Sequence, residues 1–377
     1  MSRITATTVG SGPSALRKGA LLGVVVFLAA VSAGGSSATA ARHKAIWGPL
    51  ESEGVSQFPT YKSLGVGIYQ MSINWATVAP TRPADPTNPS DPAYLWPAEV
   101  DQAIAAAQPN RIRVSILLSG APAWANGDRA SIWAPEQPPD FADFAAAASR
   151  RYPAVRHWMI WGEPSKPDRF QPLIEARGRR LSRGQRQGPR LYARILDASY
   201  AALKRVNRRN LVVGGNTWTA GEVVPLNFIR AMRLPSGRRP RMDLYGHNPF
   251  TSRQPDLRES PLAFGTADMS DLDTLTRWLD GYGFRDRRGR RLRLFLSEFT
   301  LPTDHPNFEF PIHLSWRTQA RWLAAALRIA RRDERVYTLG YLGLYDDPPR
   351  SDGLEVNRGL ITHDGQKKPA YYAFRDG

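Results

Sequence analysis

His157-Trp158-Met159-Ile160-Trp161-Gly162-Glu163-Pro164 is an apolar and aromatic run that stops at a carboxylate, with a glycine before it and a proline after it. Its length and composition predict a buried strand ending at Trp161, and the Gly and Pro mark the break. The design returns 135 positions later in Leu294-Phe295-Leu296-Ser297-Glu298-Phe299-Thr300, again an apolar run that reaches a lone glutamate. Two strands ending in glutamates raise the question of whether the fold brings them together.

Working outward, strand-like runs alternate with amphipathic segments along most of the chain. Strands are expected at Ile46 to Leu50, Val66 to Asn74, Arg111 to Ser119, His157 to Trp161, Leu211 to Asn216, Met242 to His247, Leu292 to Ser297 and Thr338 to Leu344. Helices are expected between and after them, among them Tyr94 to Ala107, Phe141 to Tyr152, Leu191 to Val206 and Ser315 to Ile329. Strand and helix in strict alternation argue for a parallel sheet covered by helices, and eight units argue for closure into a (β/α)8 barrel. The surplus over a minimal barrel of roughly 250 residues falls in loops that follow strands: Ala79 to Ala93, Ser119 to Pro138, Ser165 to Pro189, Pro249 to Met269 and Thr300 to Leu314. No internal repeat and no linker divides the barrel, so residues 41–377 are expected to form one domain.

The first forty residues differ in kind. Arg17 and Lys18 precede an apolar run from Ala20 to Val31, and Ala38-Thr39-Ala40 has the small-residue pattern of a signal-peptidase site. Residues 1–40 therefore read as an export signal, giving a secreted or envelope-associated protein; the run is short for a membrane span of about 20 residues, and an uncleaved anchor is the alternative. The chain has no cysteine, which excludes a disulfide framework, thiolate zinc sites and cysteine redox chemistry. Its histidines show no metal-ligand spacing, and neither a metal nor an organic cofactor is expected. The formal net charge is +17. The arginine clusters at Arg177 to Arg190 and Arg285 to Arg293 contain no interleaved aromatics, unlike a base-stacking surface. Nucleic acid is not an expected partner, whereas attraction to an anionic envelope or polysaccharide stays open. Nothing in the sequence speaks to oligomeric state.

In a closed barrel the ends of strands four and seven share one rim, which places Glu163 and Glu298 across its mouth. Such a pair can cleave a glycosidic bond, one carboxyl giving a proton to the leaving oxygen while the other attacks the anomeric carbon. One must then be uncharged and the other charged at the same pH, and the apolar Trp161 beside Glu163 suits the acid.

Trp161-Gly162-Glu163-Pro164 resembles the Trp-Asn-Glu-Pro motif of the large clan of retaining (β/α)8 glycoside hydrolases that includes cellulase-like and xylosidase-like enzymes, and Leu296-Ser297-Glu298 is similar to that clan's strand-seven nucleophile. Ser119-Gly120-Ala121-Pro122-Ala123-Trp124-Ala125 after strand three, and Gly359-Leu360-Ile361 through Lys368-Pro369-Ala370-Tyr371-Tyr372 at the end, are similar to clan members too. The resemblance spans essentially all of residues 41–377. It implies Glu163 as acid/base and Glu298 as nucleophile, a double displacement through a covalent glycosyl-enzyme, and a carbohydrate substrate such as a polysaccharide or glycoconjugate. A catalytically weak or inactive barrel that binds glycan at the cell surface is the rival, and a surface-adhesion protein using its basic charge is the third reading.

Two departures separate the chain from the clan. Gly162 stands where the clan has an asparagine that hydrogen-bonds the sugar's 2-hydroxyl, and Asn74 or Asn216, at the ends of strands two and five, are the candidates to replace it. Tyr245-Gly246-His247-Asn248-Pro249-Phe250 resembles the clan's His-x-Tyr region, with His247 kept and Phe250 in place of the tyrosine that touches the nucleophile; Tyr345 is the candidate to orient Glu298 instead. Trp158, Trp278 and Trp322 fall within strand or helix patterns and are expected in the core. Trp75, Trp124, Trp133 and Trp218 fall at or beyond strand ends, where sugar stacking and packing are both open. Asp346-Asp347 before Pro348-Pro349 is expected to cap a turn, with binding of sugar hydroxyls the alternative.

Overall fold

In a computed structural model of the full chain, the residues described are 43–307 and 309–377. The expected export signal lies outside them. Ala41–Gly377 is one compact unit, and among the described residues no helix is long and apolar enough to cross a membrane.

Eight parallel strands close into a barrel: β1 His43–Trp47, β2 Val66–Asn74, β3 Arg113–Ser119, β4 His157–Ile160, β5 Leu211–Trp218, β6 Leu244–Asn248, β7 Arg293–Phe299 and β8 Val336–Leu342. Each is hydrogen-bonded to its neighbours in chain order, and β1 pairs with both β2 and β8 to complete the ring. Among the described residues, eight α-helices of six residues or more follow the strands or enter between them: α1 Phe58–Ser63, α2 Ala98–Ala107, α3 Pro138–Arg151, α4 Gln187–Val206, α5 Pro225–Ala231, α6 Leu272–Gly281, α7 Trp316–Arg332 and α8 Pro369–Asp376. The helix α1 precedes β2 after a small hairpin, Glu51–Ser52 against Val55–Ser56, which the sequence did not announce.

The alternation of the strands splits the core in two. Ala45, Ile68, Met159, Val213, Leu244 and Phe295 meet inside the barrel, with Trp47, Leu117 and Tyr337 against them. Trp158 and Ile160, the other face of β4, pack in the larger shell beneath the helices, as the sequence expects for Trp158; burying a side chain of that size is worth roughly 2–3 kcal/mol. Trp278 and Trp322 pack on the same shell from its edge. The strand Val66–Asn74 keeps its expected bounds, and elsewhere bounds move by up to three residues, because strand ends are fixed by pairing rather than by composition: β5 runs on through Thr217-Trp218 to pair with β6.

Candidate functional site

The cleft at the carboxyl-terminal rim is about 420 Å³ and is walled by the tips of four strands. Ser72 and Asn74 come from β2, Leu117 and Ser119 from β3, Trp161, Gly162 and Glu163 from the end of β4, and Glu298 from β7. Ser131 and Ile132 of the loop after β3, and Asp168 and Arg169 of the loop after β4, complete the wall. Both glutamates therefore face one space.

Glu163 sits on a strained elbow. Trp161 and Glu163 both have left-handed backbone, with φ of 61° and 44°, a conformation that costs a non-glycine residue about 1 kcal/mol or more. The elbow is held from behind. The Trp161 N–H donates to Leu118 O at 2.8 Å, extending β4's pairing with β3. Its indole Nε1 donates to Arg169 O at 2.8 Å, and its ring meets Phe170 edge-on at 5.1 Å. Tyr192 donates its hydroxyl to Ile160 O, and Asn216 donates Nδ2 to Ile160 O and, at 2.7 Å, to Trp161 O. Gly246 makes room for this clamp, since a Cβ there would fall 1.8 Å from Asn216 Oδ1.

The Glu163 carboxylate has two partners. Asn248 Nδ2 donates to Oε1 at 3.0 Å, and Lys166 Nζ stands 3.2 Å from Oε2. The amide of Asn248 cannot turn over freely, because its Oδ1 accepts from Ser297 Oγ at 2.7 Å. Ser297 is fixed in turn: its carbonyl accepts from Gln70 Nε2 at 2.8 Å and Trp47 Nε1 at 3.1 Å. A chain of hydrogen bonds thus runs from the residue beside Glu298 to Glu163. Glu298 is half-buried. Burial first, and then the charge of Glu163, push its carboxyl up to about 8, with Glu309 adding to the rise and Arg169 and Lys166 opposing it. Glu298 therefore keeps its proton to a higher pH than an ordinary carboxyl.

Of the other residues singled out in the sequence, Asn74 reaches the cleft, where its Oδ1 accepts from Ala76 N and caps a single helical turn, Trp75–Val78. Asn216 does not: its amide is spent on the two carbonyls behind the elbow. His247 is fully buried between Thr217 Oγ1 (2.9 Å) and Ala267 O (2.9 Å), and burial lowers its imidazole to about 4, so it is neutral. Tyr345 turns its hydroxyl to Gln57 Oε1 at 2.9 Å rather than to Glu298. Trp124 donates to Ala79 O, meets Trp75 edge-on and carries the Arg82 guanidinium on its ring. Trp75 is core. The ring of Trp218 lies beneath Lys166 Nζ, 4.8 Å from its centroid. Phe250 packs on Phe310, and Asp346 is buried on the Lys368 ammonium at 2.7 Å and the Gly359 N–H, inside the fold rather than at an exposed turn. The sequence reading passed over Lys166, Arg169 and Asn248; for Asn248 the signal was present, since it ends β6 as the glutamates end or nearly end their own strands.

Gly162 packs against Leu117 of the neighbouring strand. A Cβ there would lie 3.1 Å from Leu117 Cδ2, so a side chain would have to push that leucine methyl aside. The amide that bonds the Glu163 carboxylate is that of Asn248.

No family model matches the chain, and no curated protein does. Solved structures do. A family 39 glycoside hydrolase from the gut symbiont Bacteroides cellulosilyticus superposes with a TM-score of 0.63 at 15% identity, over 89% of this chain and 62% of that one. A glucosidase from Croceicoccus marinus gives 0.62 at 16%, over 89% and 67%, and a family 39 β-xylosidase from Caulobacter crescentus gives 0.56 at 17%, over 89% and 70%. The chain spans 62% of the length of the Bacteroides enzyme. At these identities the likeness is one of fold: the chain is built on the closed (β/α)8 barrel on which these glycoside hydrolases are built.

Proposed function

We propose that the chain is an exported glycoside hydrolase that works by retaining double displacement, with Glu163 as acid/base and Glu298 as nucleophile. The observation that carries this reading is the meeting of Glu163 and Glu298 in one cleft at the carboxyl-terminal rim, the face on which barrel enzymes keep their chemistry. The likeness of its fold to glycoside hydrolases supports it.

In the reaction, Glu298 attacks the anomeric carbon as Glu163 delivers its proton to the leaving oxygen; Glu163 then takes a proton from the water that releases the sugar. Asn248 aims the Glu163 carboxyl throughout. Lys166 must leave Oε2 for that oxygen to present a proton, and in leaving it uncovers the face of Trp218. The raised Glu298 motivates a second reading in which the roles are exchanged, because a carboxyl that keeps its proton near neutral pH is suited to act as the general acid.

A slow-turnover 2-fluoroglycoside of a responsive sugar separates the two. Capture of the label on the peptide bearing Glu298 is the expected result, and capture on Glu163 exchanges the roles. No covalent capture and inverted product stereochemistry would refute the retaining mechanism. Glu163→Gln and Glu298→Gln should each abolish release of reducing sugar; a wild type that cleaves nothing in a broad panel yet binds one of its glycans would turn the assignment to a glycan-binding barrel.

A further inference from the structure

Two cavities behind the loop that follows β4 run together into one arginine-lined groove. The first, about 460 Å³, is lined by Arg179, Arg180, Arg186, Arg190, Arg230 and Arg233. The second, about 980 Å³, shares Arg190 and Arg233 and adds Arg129, Arg183 and Arg194. Against nine guanidinium groups the lining contains a single acid, Glu136.

Some guanidinium groups of the chain are answered by carboxylates, as in Arg241 with Asp197, Arg277 with Asp273, Arg335 with Asp280 and Arg350 with Asp352; what marks this groove is that nine are gathered in one concave surface. Among the described residues, none of the nine stands within ion-pair distance of an acid. Several are instead fixed by backbone carbonyls: Arg230 donates to Arg179 O, Arg186 to Leu181 O and Arg233 to Gly237 O. Such bonds set position without neutralising charge, so like charges are gathered and held apart from counter-charge. That arrangement is unfavourable on its own and is relieved by an anion.

The groove also shares a wall with the cleft. Ser131 and Ile132 face the glutamates, whereas Arg129 and Trp133 of the same short segment face the arginines. The segment is stitched to the loop after β4 by Gln171, whose N–H donates to Ile132 O and whose carbonyl accepts from Ala134 N. Trp133 is half-buried, with the Arg129 guanidinium 4.8 Å over its ring. Guanidinium groups held side by side along a groove suit a chain of sugars that carries anionic substituents. One indole, already covered, is no ladder for stacked bases, and a concave groove does not fit a flat lipid surface.

We infer that this groove binds an anionic polysaccharide, a chain of sugars bearing carboxylate, sulfate or phosphate groups, alongside the catalytic cleft. The choice of a glycan over other polyanions rests on the glycoside hydrolase reading; the binding itself does not. The test uses the full chain carrying Glu163→Gln, so that cleavage cannot obscure binding, with polygalacturonate, dextran sulfate and neutral dextran as probes at low ionic strength. Arg190 and Arg194 are exposed one turn apart on α4, and Arg190→Glu with Arg194→Glu should weaken binding of the anionic chains on the order of tenfold or more. Arg317→Glu with Arg321→Glu, exposed one turn apart on α7 and lining neither cavity, makes the same change in net charge and should weaken it less than about twofold. Preference between polygalacturonate and dextran sulfate identifies the substituent. Equal losses in the two double variants, equal binding of neutral dextran, no binding of either anionic chain, or tighter groove-dependent binding of single-stranded DNA would each overturn the inference. Loss of hydrolysis in the wild type with groove binding intact would count against the catalytic reading alone.

Discussion

Replacing Glu298 by glutamine should make the protein more stable at alkaline pH and leave it little changed at acid pH. Its carboxyl titrates at about 8 in the fold, against an ordinary value of 4.5, because burial and the facing charge of Glu163 disfavour ionisation. Below 4.5 the folded and unfolded chains both hold this proton. Between 4.5 and about 8 the unfolded chain has released it and the folded chain has not, so stability falls as pH rises through that window and is level above it. At about 1.4 kcal/mol for each pH unit the upper limit is near ~5 kcal/mol, and water reaching the half-buried group through the cleft reduces the expectation to ~2–4 kcal/mol. Glutamine keeps the shape and carries no charge. Other groups titrate across the same range, Asp271 among them, raised by burial to about 6, so the quantity to follow is the difference between variant and wild type. Urea unfolding from pH 4.5 to 9 should show the Glu298→Gln advantage growing from near zero to that size, and Glu163→Gln, which removes the second cause, should give a smaller part of it. Parallel stability curves for wild type and Glu298→Gln would refute the account of Glu298 as a carboxyl held protonated by its surroundings.

The same ionisation bears on the proposed reaction. That reaction needs one carboxyl of the pair protonated and the other charged, so kcat/KM, which reports the free enzyme, should fall as the pH rises through about 8, where the pair loses its last proton; a profile level through that range would count against the pairing. Lys368, whose buried ammonium bonds Asp346 at 2.7 Å and Thr303 Oγ1 at 3.0 Å, should cost about 3–5 kcal/mol of stability on Lys368→Met, because Asp346 would be left as an unpaired buried carboxylate; a loss under about 1 kcal/mol in a urea titration would contradict that. Gly162→Asn should cost about 1–3 kcal/mol by displacing Leu117, and Leu117→Val should recover part of it, so a double-mutant cycle that adds without coupling would disprove the competition for that slot.

The barrel was legible because its period is written twice, in eight apolar runs and in the amphipathic segments between them, and neither depends on distant contacts. The two glutamates were legible because a continuous apolar run that meets an acid has few explanations. Their surroundings were not. Asn216 read as a cleft residue because it lies near the end of a strand, yet its left-handed backbone, φ 44°, accompanies an amide committed to the carbonyls of the neighbouring strand. Tyr345 was misjudged for a related reason: its acceptor, Gln57, lies 288 positions away, and no local pattern announces such a bond. Asn248 and Lys166 were passed over because polar residues just after strands are common, and only the closed ring puts these two on the same carboxylate.

The elbow at Trp161 and Glu163 also has a bearing on how the chain could drift. A left-handed backbone at Glu163 favours glycine or asparagine, so each generation offers replacements that would relax the polypeptide and, in doing so, discard the acid. A lineage that only held on to glycans would gain by accepting them. A glutamate there is therefore a standing thermodynamic handicap, and laboratory lineages selected for folding alone should shed it early.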